Sequence, residues 1–591
     1  MKYLLRILTF TFSSLFLLIC NAQTYVPGGT LASANWTSDA SPYIIQGDIE
    51  ITGKLKVGPG VDVQIDGYYQ IVVIGHLQVD GTELMPVSFS AVDTTGWHLD
   101  ISTSGGWRGI YAKVNYTPDS SYFKHCLIKD TKSNNNELAN GEAALRAERE
   151  IFLDHCEFTH HKHYNLTYAN QGVILWMSSV IEDQNTVVQN CKFHNNKAFY
   201  SVILYNGIIG GTFELKNSHI HHNSEGLGIN LLNTHALIEN NEFDHNVVTH
   251  PFSAVILAGP GEHIIRGNKI HHNKTYRTAA LTCLDTKAII EKNLICNNEM
   301  TYGNCGLTDG GGGIHIAGLN GWRYETHYTV RDNIIANNKT AHYAGGIYIH
   351  TCNADIYNNT IVNNFAETGY SAGINVYGTG ILNLHNNIIT GNENAAGSSR
   401  QLSILAPVEL HFNHNYLGTS VYESLAYNED FDCDTLNCVT DTEVNFVNPT
   451  LTSDFTEDAT TKNFALQPSS SCINAGSMEY TFVGHTDFSY SPRVQGESID
   501  IGAIEYFKTV NTGLTAVNKP SLHIYPNPHN GQFTLTGLSD AAIVTMFSLT
   551  GKKIGSFYGP QSPDYSHIEP GVYVLQIEAD GNINSLKVIK K

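Results

Sequence analysis

Several sets of side chains in this sequence have the types and spacing to do chemistry. His315, Tyr348 and His350 lie in the segments GGIHIAG and GGIYIH, where period-two alternation points them outward from equivalent strands on neighbouring turns of chain. An imidazole and a phenol so placed can serve as base and acid, the combination a metal-free polysaccharide lyase needs. Trp176, Tyr205, Tyr348 and Tyr377 stand in GVILW, SVILY, GGIYIH and AGINVYG, and their flat faces would stack against sugar rings. Arg146 and Glu148, Ile174, Ile203, Asn230 and Leu232, Thr282 and Asn375 complete the same outward stripe, which is aromatic and carries little charge. Residues of these types also cover solvated sheets, so glycan contact and plain surface cover both stand.

A second constellation is a column of His222, His245 and His272 beside a column of His221, Asp244 and His271, with His160 extending the first. Stacking would bring imidazoles within reach of one ion, since histidine nitrogen binds zinc at about 2.0 Å. The alternative is a metal-free hydrogen-bonded ladder, and Asn297, Asn337 and Asn363 at the same place in later turns favour it, so no metal or other cofactor is expected. The outward stripe lacks the clustered carboxylates of a hydrolase and the acidic cage of a calcium-dependent lyase. In DGGGGIHI, Asp309 to Ile316, no lysine follows and no helical pattern begins, so the glycines fit a tight corner better than a phosphate loop.

What must position these residues is a repeat. It appears as NCKFHNN, NSHIHHN, NNEFDHN and GNKIHHN, and continues as KNLICNN, DNIIANN, NNTIVNN and NNIITGN. Its closing asparagines are Asn196, Asn223, Asn246, Asn273, Asn298, Asn338, Asn364 and Asn392, mostly 23 to 28 residues apart. Three positions before each stands an apolar residue: Phe193, Ile220, Phe243, Ile270, Ile295, Ile335, Ile361 and Ile389. One turn cannot bury its own apolar face, but turns stacked at about 4.8 Å enclose a continuous dry interior. The units are too rich in Asn, Gly and β-branched residues for helical repeats. The expected fold is therefore all-β, a right-handed parallel β-helix, with asparagines tolerating the left-handed corners and bonding along the axis.

The opening MKYLLRILTFTFSSLFLLICNAQ has Lys2 and Arg6, an apolar run and Ala22, the layout of an export signal over residues 1–22. A lipoprotein reading through Cys20 is the alternative, with Ile19 where a small residue is wanted. No later stretch is long enough to span a bilayer. The net charge of −21 repels phosphate backbones and excludes a basic nucleic-acid footprint. Of the cysteines that would remain, Cys433 and Cys438 are the expected disulfide, while Cys126, Cys156 and Cys191 share one repeat position and read as a packed column.

Residues 23–120, with SPYIIQGDIEITGKLKVGPGVDVQIDGYYQIVVIGHLQVDGTELMPVSFSA, resemble the leading segment of bacterial parallel β-helix proteins and are expected to cap the rod and begin its coils, with repeats over 121–420. NPTLTSDF, NFALQPSSSCINAGS and DFSYSPRVQGESIDIGAIEY resemble the choice-of-anchor Q region, which makes 421–507 a C-terminal cap over open strand edges, with Pro492, Arg493, Asp500, Gly502 and Glu505 as structural matches. Residues 508–520 read as a linker. The segment 521–591, with YPNP at Tyr525 to Pro528, PGVY at Pro570 to Tyr573 and a basic last strand, is similar to the type A sorting domain of the type IX secretion system of Bacteroidota. That resemblance implies a small β-sandwich, passage through the type IX machinery, and a secreted or cell-surface protein. The alternative for this unit is a permanent carbohydrate-binding sandwich. Parallel β-helices host pectate and alginate lyases, polygalacturonases and adhesins. The expectation is an exported protein that binds, and as a lyase or glycoside hydrolase would degrade, an extended polysaccharide; the alternative is a non-enzymatic adhesin or structural surface protein.

Overall fold

The computed structural model describes residues 23–507 and 523–591, apart from 101, 115–120, 134–142, 164–171, 180–183, 208–210, 250–253, 303–309, 319–325, 368–370, 396–400, 405–407, 419–424, 428–436, 441, 452–456, 528, 537, 539–541, 549–551, 560–562 and 580–581. The export signal, the linker 508–520 and Cys433 of the expected Cys433–Cys438 bridge therefore lie outside the described residues. Two units separate at Lys508.

In the first unit one coil shows how the sequence builds the rest. Lys269–His271 is a strand of the first sheet, and Ile270 at its centre points inward. His272 then takes a left-handed φ of 53° and turns the chain. A two-residue strand, Lys274–Thr275, leads to Leu281–Leu284 in the second sheet; left-handed Asp285 turns the chain again into Lys287–Glu291 of the third. Repetition pairs every strand in parallel with its equivalent one coil away. The first sheet runs in fourteen strands from Thr24–Val26 to Ile388–Thr390, and the third in fourteen from Ala34–Trp36 to Glu409–Asn413. Parallel pairing leaves no hairpin edges along the length, and each coil satisfies the backbone of its neighbours.

The expected internal stack is present: Phe193, Ile220, Phe243, Ile270, Ile295, Ile335, Ile361 and Ile389 are in register and fully buried, and Phe158 stacks on Phe193 at 4.8 Å. Burial of each such side chain contributes about 1.5–3 kcal/mol.

The asparagines divide two tasks between adjacent positions. Asn195, Asn297, Asn337 and Asn363 hold the left-handed corner, as do His222, His245 and His272. The next residue points inward and forms the ladder. Asn223 Nδ2 donates to Asn246 Oδ1 at 3.0 Å and to the Phe193 carbonyl at 2.9 Å, while its backbone N–H donates to the same Asn246 oxygen at 3.1 Å. Both lone pairs and both amide hydrogens are used, which is what burial of a carboxamide requires. A second ladder passes through Asn241, Asn268, Asn293, Asn333, Asn359, Asn387 and Asn415. Its first members are buried Cys126, Cys156, Cys191 and Ser218, so the cysteine column is the start of this ladder: Cys156 N–H points to Cys191 Sγ at 3.4 Å, and Cys191 N–H donates to Ser218 Oγ at 3.0 Å.

One expectation about the ends needs correction. Residues from Thr24 onward already form coils of the same three sheets, with Thr24 opposite Tyr43 and Ala34 opposite Leu55. Within 421–507, Leu425–Tyr427 still adds a strand beside Leu402–Ile404. Residues 446–451 and 457–505 lie along the outer face of the first sheet, covering Ile334, Ala336, Val362 and Ile388 with Phe446, Phe464, Leu466 and Ile501. They bond to successive coils: Lys292 Nζ to the Thr486 carbonyl at 2.8 Å, His485 Nε2 to Asp332 Oδ2 at 2.8 Å, Ala503 N–H to Thr360 Oγ1 at 3.0 Å, and Gly502 N–H to the Asn386 carbonyl at 2.8 Å. The reason is chemical, because these coils carry apolar residues outward as well as inward. Arg493, Asp500 and Glu505 are buried here with Asp332 and Asp487; Arg493 Nε is 3.3 Å from Glu505 Oε1 and 3.8 Å from Asp332 Oδ1.

The second unit contains antiparallel His523–Tyr525 and Thr534–Thr536, and a four-stranded antiparallel sheet of Lys553–Tyr558, Ile543–Ser548, Gly571–Ala579 and Asn582–Lys590. Its core is Phe533, Leu535, Val544, Met546, Phe557, Leu575, Ile577 and Val588.

Candidate functional site

Strand register on the second sheet makes an outward column of Tyr111, Arg146, Trp176, Leu204, Asn230, Leu257, Thr282, His315, Tyr348 and Asn375. At its start the face is half-exposed. The Arg146 guanidinium lies between two rings, 4.5 Å from Tyr111 and 4.6 Å from Trp176, and its Nη2 is 2.6 Å from Glu148 Oε1. Burial and a hydrogen bond with Glu148 push the Tyr111 phenol up to about 12, so it stays protonated. Indole, guanidinium and phenol, one per coil, form a flat amphipathic ladder.

Farther along, outward no longer means exposed. His315, Tyr348 and Asn375 occupy successive coils in one column, and all are at 0% exposure. His315 and Tyr348 ring centroids are 5.0 Å apart, and Tyr343, from the segment that crosses this face before the strand, stacks on Tyr348 at 5.3 Å. In the adjacent column His350 stacks on half-buried Tyr377 at 5.5 Å. The structure thus brings His315, Tyr348, His350 and Tyr377 together, but Tyr348 and His315 are not the solvent-facing groups that alternation alone implies. Burial, helped by nearby His350, pushes His315 down to about 3, and burial also lowers His350. Among the described residues neither ring nitrogen of His315 and neither amide atom of Asn375 has a hydrogen-bond partner. A neutral imidazole beside a phenol can exchange protons, provided substrate reaches it.

Tyr205 requires a larger correction. It is fully buried in the core and stacks on Phe213 at 5.1 Å. Matching VILY to VILW by wording puts Tyr205 opposite Trp176, but the hydrogen-bonded register pairs Trp176 with Leu204 and Met177 with Tyr205. A one-residue slip reverses the face of every side chain. Ile203 turns inward for the same reason.

At the corner after the first sheet, His222, His245 and His272 stack as expected, with centroids 4.9 and 5.3 Å apart and planes within 8° and 4°. Asp244 is buried beside them: its Oδ2 is 2.6 Å from His245 Nδ1 and its Oδ1 bonds His219 Nε2. Burial works to raise the Asp244 carboxyl, yet the hydrogen bonds from His219 and His245 outweigh it and hold the group well below the usual carboxylate range. Burial, followed by neighbouring His219 and His194, pushes His221 down to about 4.

The third sheet carries a feature that the sequence reading missed. A groove of about 590 Å³ crosses successive coils, floored by Leu237, Ile264 and Ile289 and rimmed by His235, Glu262, Lys287 and His327. The signal was present: HALIE, EHIIR and KAIIE each place an apolar residue at an outward position, breaking the polar alternation of a solvated sheet.

Among the described residues no helix is long and apolar enough to cross a membrane. No curated protein matches the chain. Two families do: residues 210–405 match the right handed beta helix region, and residues 523–591 match the secretion system C-terminal sorting domain. The coil register and the antiparallel terminal unit agree with both assignments, and the chain is an exported protein of the cell surface or extracellular space, carrying a right-handed β-helix region and a type IX secretion sorting domain.

Proposed function

We propose that this exported protein binds an extended polysaccharide along the outer face of the second sheet, with sugar rings stacked on Trp176 and, toward the other end, on Tyr377. The observation that carries the reading is the half-exposed Tyr111–Arg146–Trp176 ladder, one flat group per coil. An indole face takes the C–H face of a sugar, and the Arg146 guanidinium, held flat between Tyr111 and Trp176, continues that stacking surface. The net charge of −21 favours a neutral glycan over an acidic one. Elimination by His315 and Tyr348, as in a lyase, is a further step that needs a uronic-acid unit, whose carboxylate acidifies the C5–H bond, in place of a neutral one, and needs the cover over both residues to open.

The test is retention of the full chain on a panel of immobilised polysaccharides, with ultraviolet absorbance of the eluate followed for unsaturated sugar products. Binding that falls at least tenfold in Trp176→Ala supports the reading. Retention by no glycan, or unchanged retention when Trp176→Ala and Tyr377→Ala are combined, overturns it. The burial of His315 and Tyr348 favours a second reading, a non-enzymatic adhesin whose face contacts protein. Glycan retention without product formation separates binding from cleavage, and absence of glycan retention favours the adhesin.

A further inference from the structure

We propose that the corner carrying His222, Asp244 and His245 binds one divalent first-row transition-metal ion. Strand register makes a block three coils deep here: His219, Glu242 and Lys269 in one column, His221, Asp244 and His271 in the next, and His222, His245 and His272 at the turn. One ligand atom from each of His222, Asp244 and His245 lies within 4.8 Å of the other two. Three atoms at the corners of a triangle of that side stand about 2.8 Å from its centre, against about 2.0–2.2 Å for zinc bound to nitrogen or carboxylate oxygen. No atom needs to move toward that centre by more than roughly 0.8 Å, and Asp244 and His245, already 2.6 Å apart, part slightly to admit the ion, small side-chain rotations for ligands of this kind. His222 and His245 are exposed and free to make them.

The surroundings suit a cation. Asp244 is the buried member, and His219 bonds its other oxygen, which fixes the carboxylate as orienting partners do at metal sites. His221 Nδ1 lies 3.0 Å from His222 Nδ1 and steadies that ring. His245 Nδ1 already faces Asp244 Oδ2 at 2.6 Å with one proton between them. The ion takes the place of that proton, which moves to Nε2 of the same ring, so the imidazole remains neutral and no net charge is lost from the ligands. Imidazole with carboxylate selects zinc, cobalt, nickel or copper over calcium or magnesium.

The fold does not require histidine at this corner. Asn195, Asn297 and Asn337 adopt the same left-handed conformation, with φ of 54°, 53° and 55° against 52° and 53° for His222 and His245. Asparagine therefore offers a substitution that keeps the turn and removes the ligand.

The test uses the full chain, without an affinity tag and stripped by a chelator, titrated with Zn²⁺ against a chromophoric competitor and with Co²⁺ by visible absorption. One equivalent bound, with affinity at least tenfold weaker and the Co²⁺ bands lost in His222→Asn/His245→Asn, is the expected result. The metal-free double variant should stay folded, with a midpoint lowered by no more than loss of the His245–Asp244 hydrogen bond costs, and Zn²⁺ should raise the midpoint in the parent alone. Binding of equal affinity in the double variant, or no stoichiometric binding by the parent, overturns the proposal.

Discussion

Removing one rung from the middle of the inward asparagine ladder should destabilise the solenoid far more than its exposed surface area implies. Asn298 Oδ1 accepts from Asn273 N–H at 3.2 Å and from Asn273 Nδ2 at 3.0 Å, while Asn298 Nδ2 donates to the Ile270 carbonyl at 2.8 Å and to Asn338 Oδ1 at 3.0 Å. All of these groups are buried. In Asn298→Ala, Asn338 Oδ1 keeps the backbone donor of residue 298 and Asn273 Nδ2 keeps the Phe243 and His271 carbonyls, both at 2.9 Å, but the buried Asn273 backbone N–H is left with no acceptor. A buried orphan costs about 1–3 kcal/mol, which is the expected loss. Urea unfolding reports the total, and hydrogen exchange at the Asn273 amide reports the local part, since repeat arrays open locally. Asn298→Asp separates the two halves of the rung. It keeps an acceptor for Asn273, so that amide should stay protected, but it turns oxygen toward two oxygens and should still lower stability. A cost below about 1 kcal/mol for Asn298→Ala, with unchanged exchange at Asn273, would refute the reasoning.

Ile270→Ala empties a fully buried place in the apolar stack and should cost about 2–5 kcal/mol by urea unfolding; near-neutrality would mean that the stack does not act as one core. His315 titrates at about 3 in the fold against an ordinary value near 6.5, so the unfolded chain takes the proton first, and stability should fall as pH drops below about 6.5, by up to ~1.4 kcal/mol per pH unit. His315→Phe should flatten that acid limb of a thermal-midpoint profile, and an unchanged profile would refute the assignment. Glu505 shifts the opposite way: burial, opposed by Arg493, pushes it up to about 8, so its contribution is full below about pH 4.5 and is lost as pH rises toward 8. Glu505→Gln should remove that loss, and a profile between pH 5 and 8 identical to the parent's would sink the claim.

The architecture was legible because repetition converts sequence position into spatial position. Once Asn196 and its equivalents are aligned, the inward residue three places earlier follows, and the structure places each of these residues in one stack. Reading the second sheet was harder, because its strands begin at variable distances from the marker. Tyr205 shows the cost: similar wording in SVILY and GVILW hides an offset of one residue, and parity then exchanges inside for outside. His315 and Tyr348 show a different limit, since alternation gives direction but not cover, and Tyr343 reaches their face from a separate stretch of chain. The flank-covering segment had left its trace in the repeat itself. KFH, HIH, EFD and KIH are polar on both sides of the inward residue, whereas LIC, IIA and TIV are not, and the change begins at Leu294, in the coils against which residues 446–451 and 457–503 lie.

The ladder has a polarity. Each asparagine oxygen receives both donors from the coil before it, so a coil just laid down presents two unsatisfied N–H groups and waits for its successor. Gln401 ends the series by accepting from both the backbone and the side chain of Asn392. Such a grammar makes the molecule extensible: one complete turn can be inserted or excised between Asn246 and Asn273 with donor and acceptor matched on either side of the splice. Growth in whole turns is thereby cheap, any other increment breaks the pairing, and a single glutamine serves as the full stop.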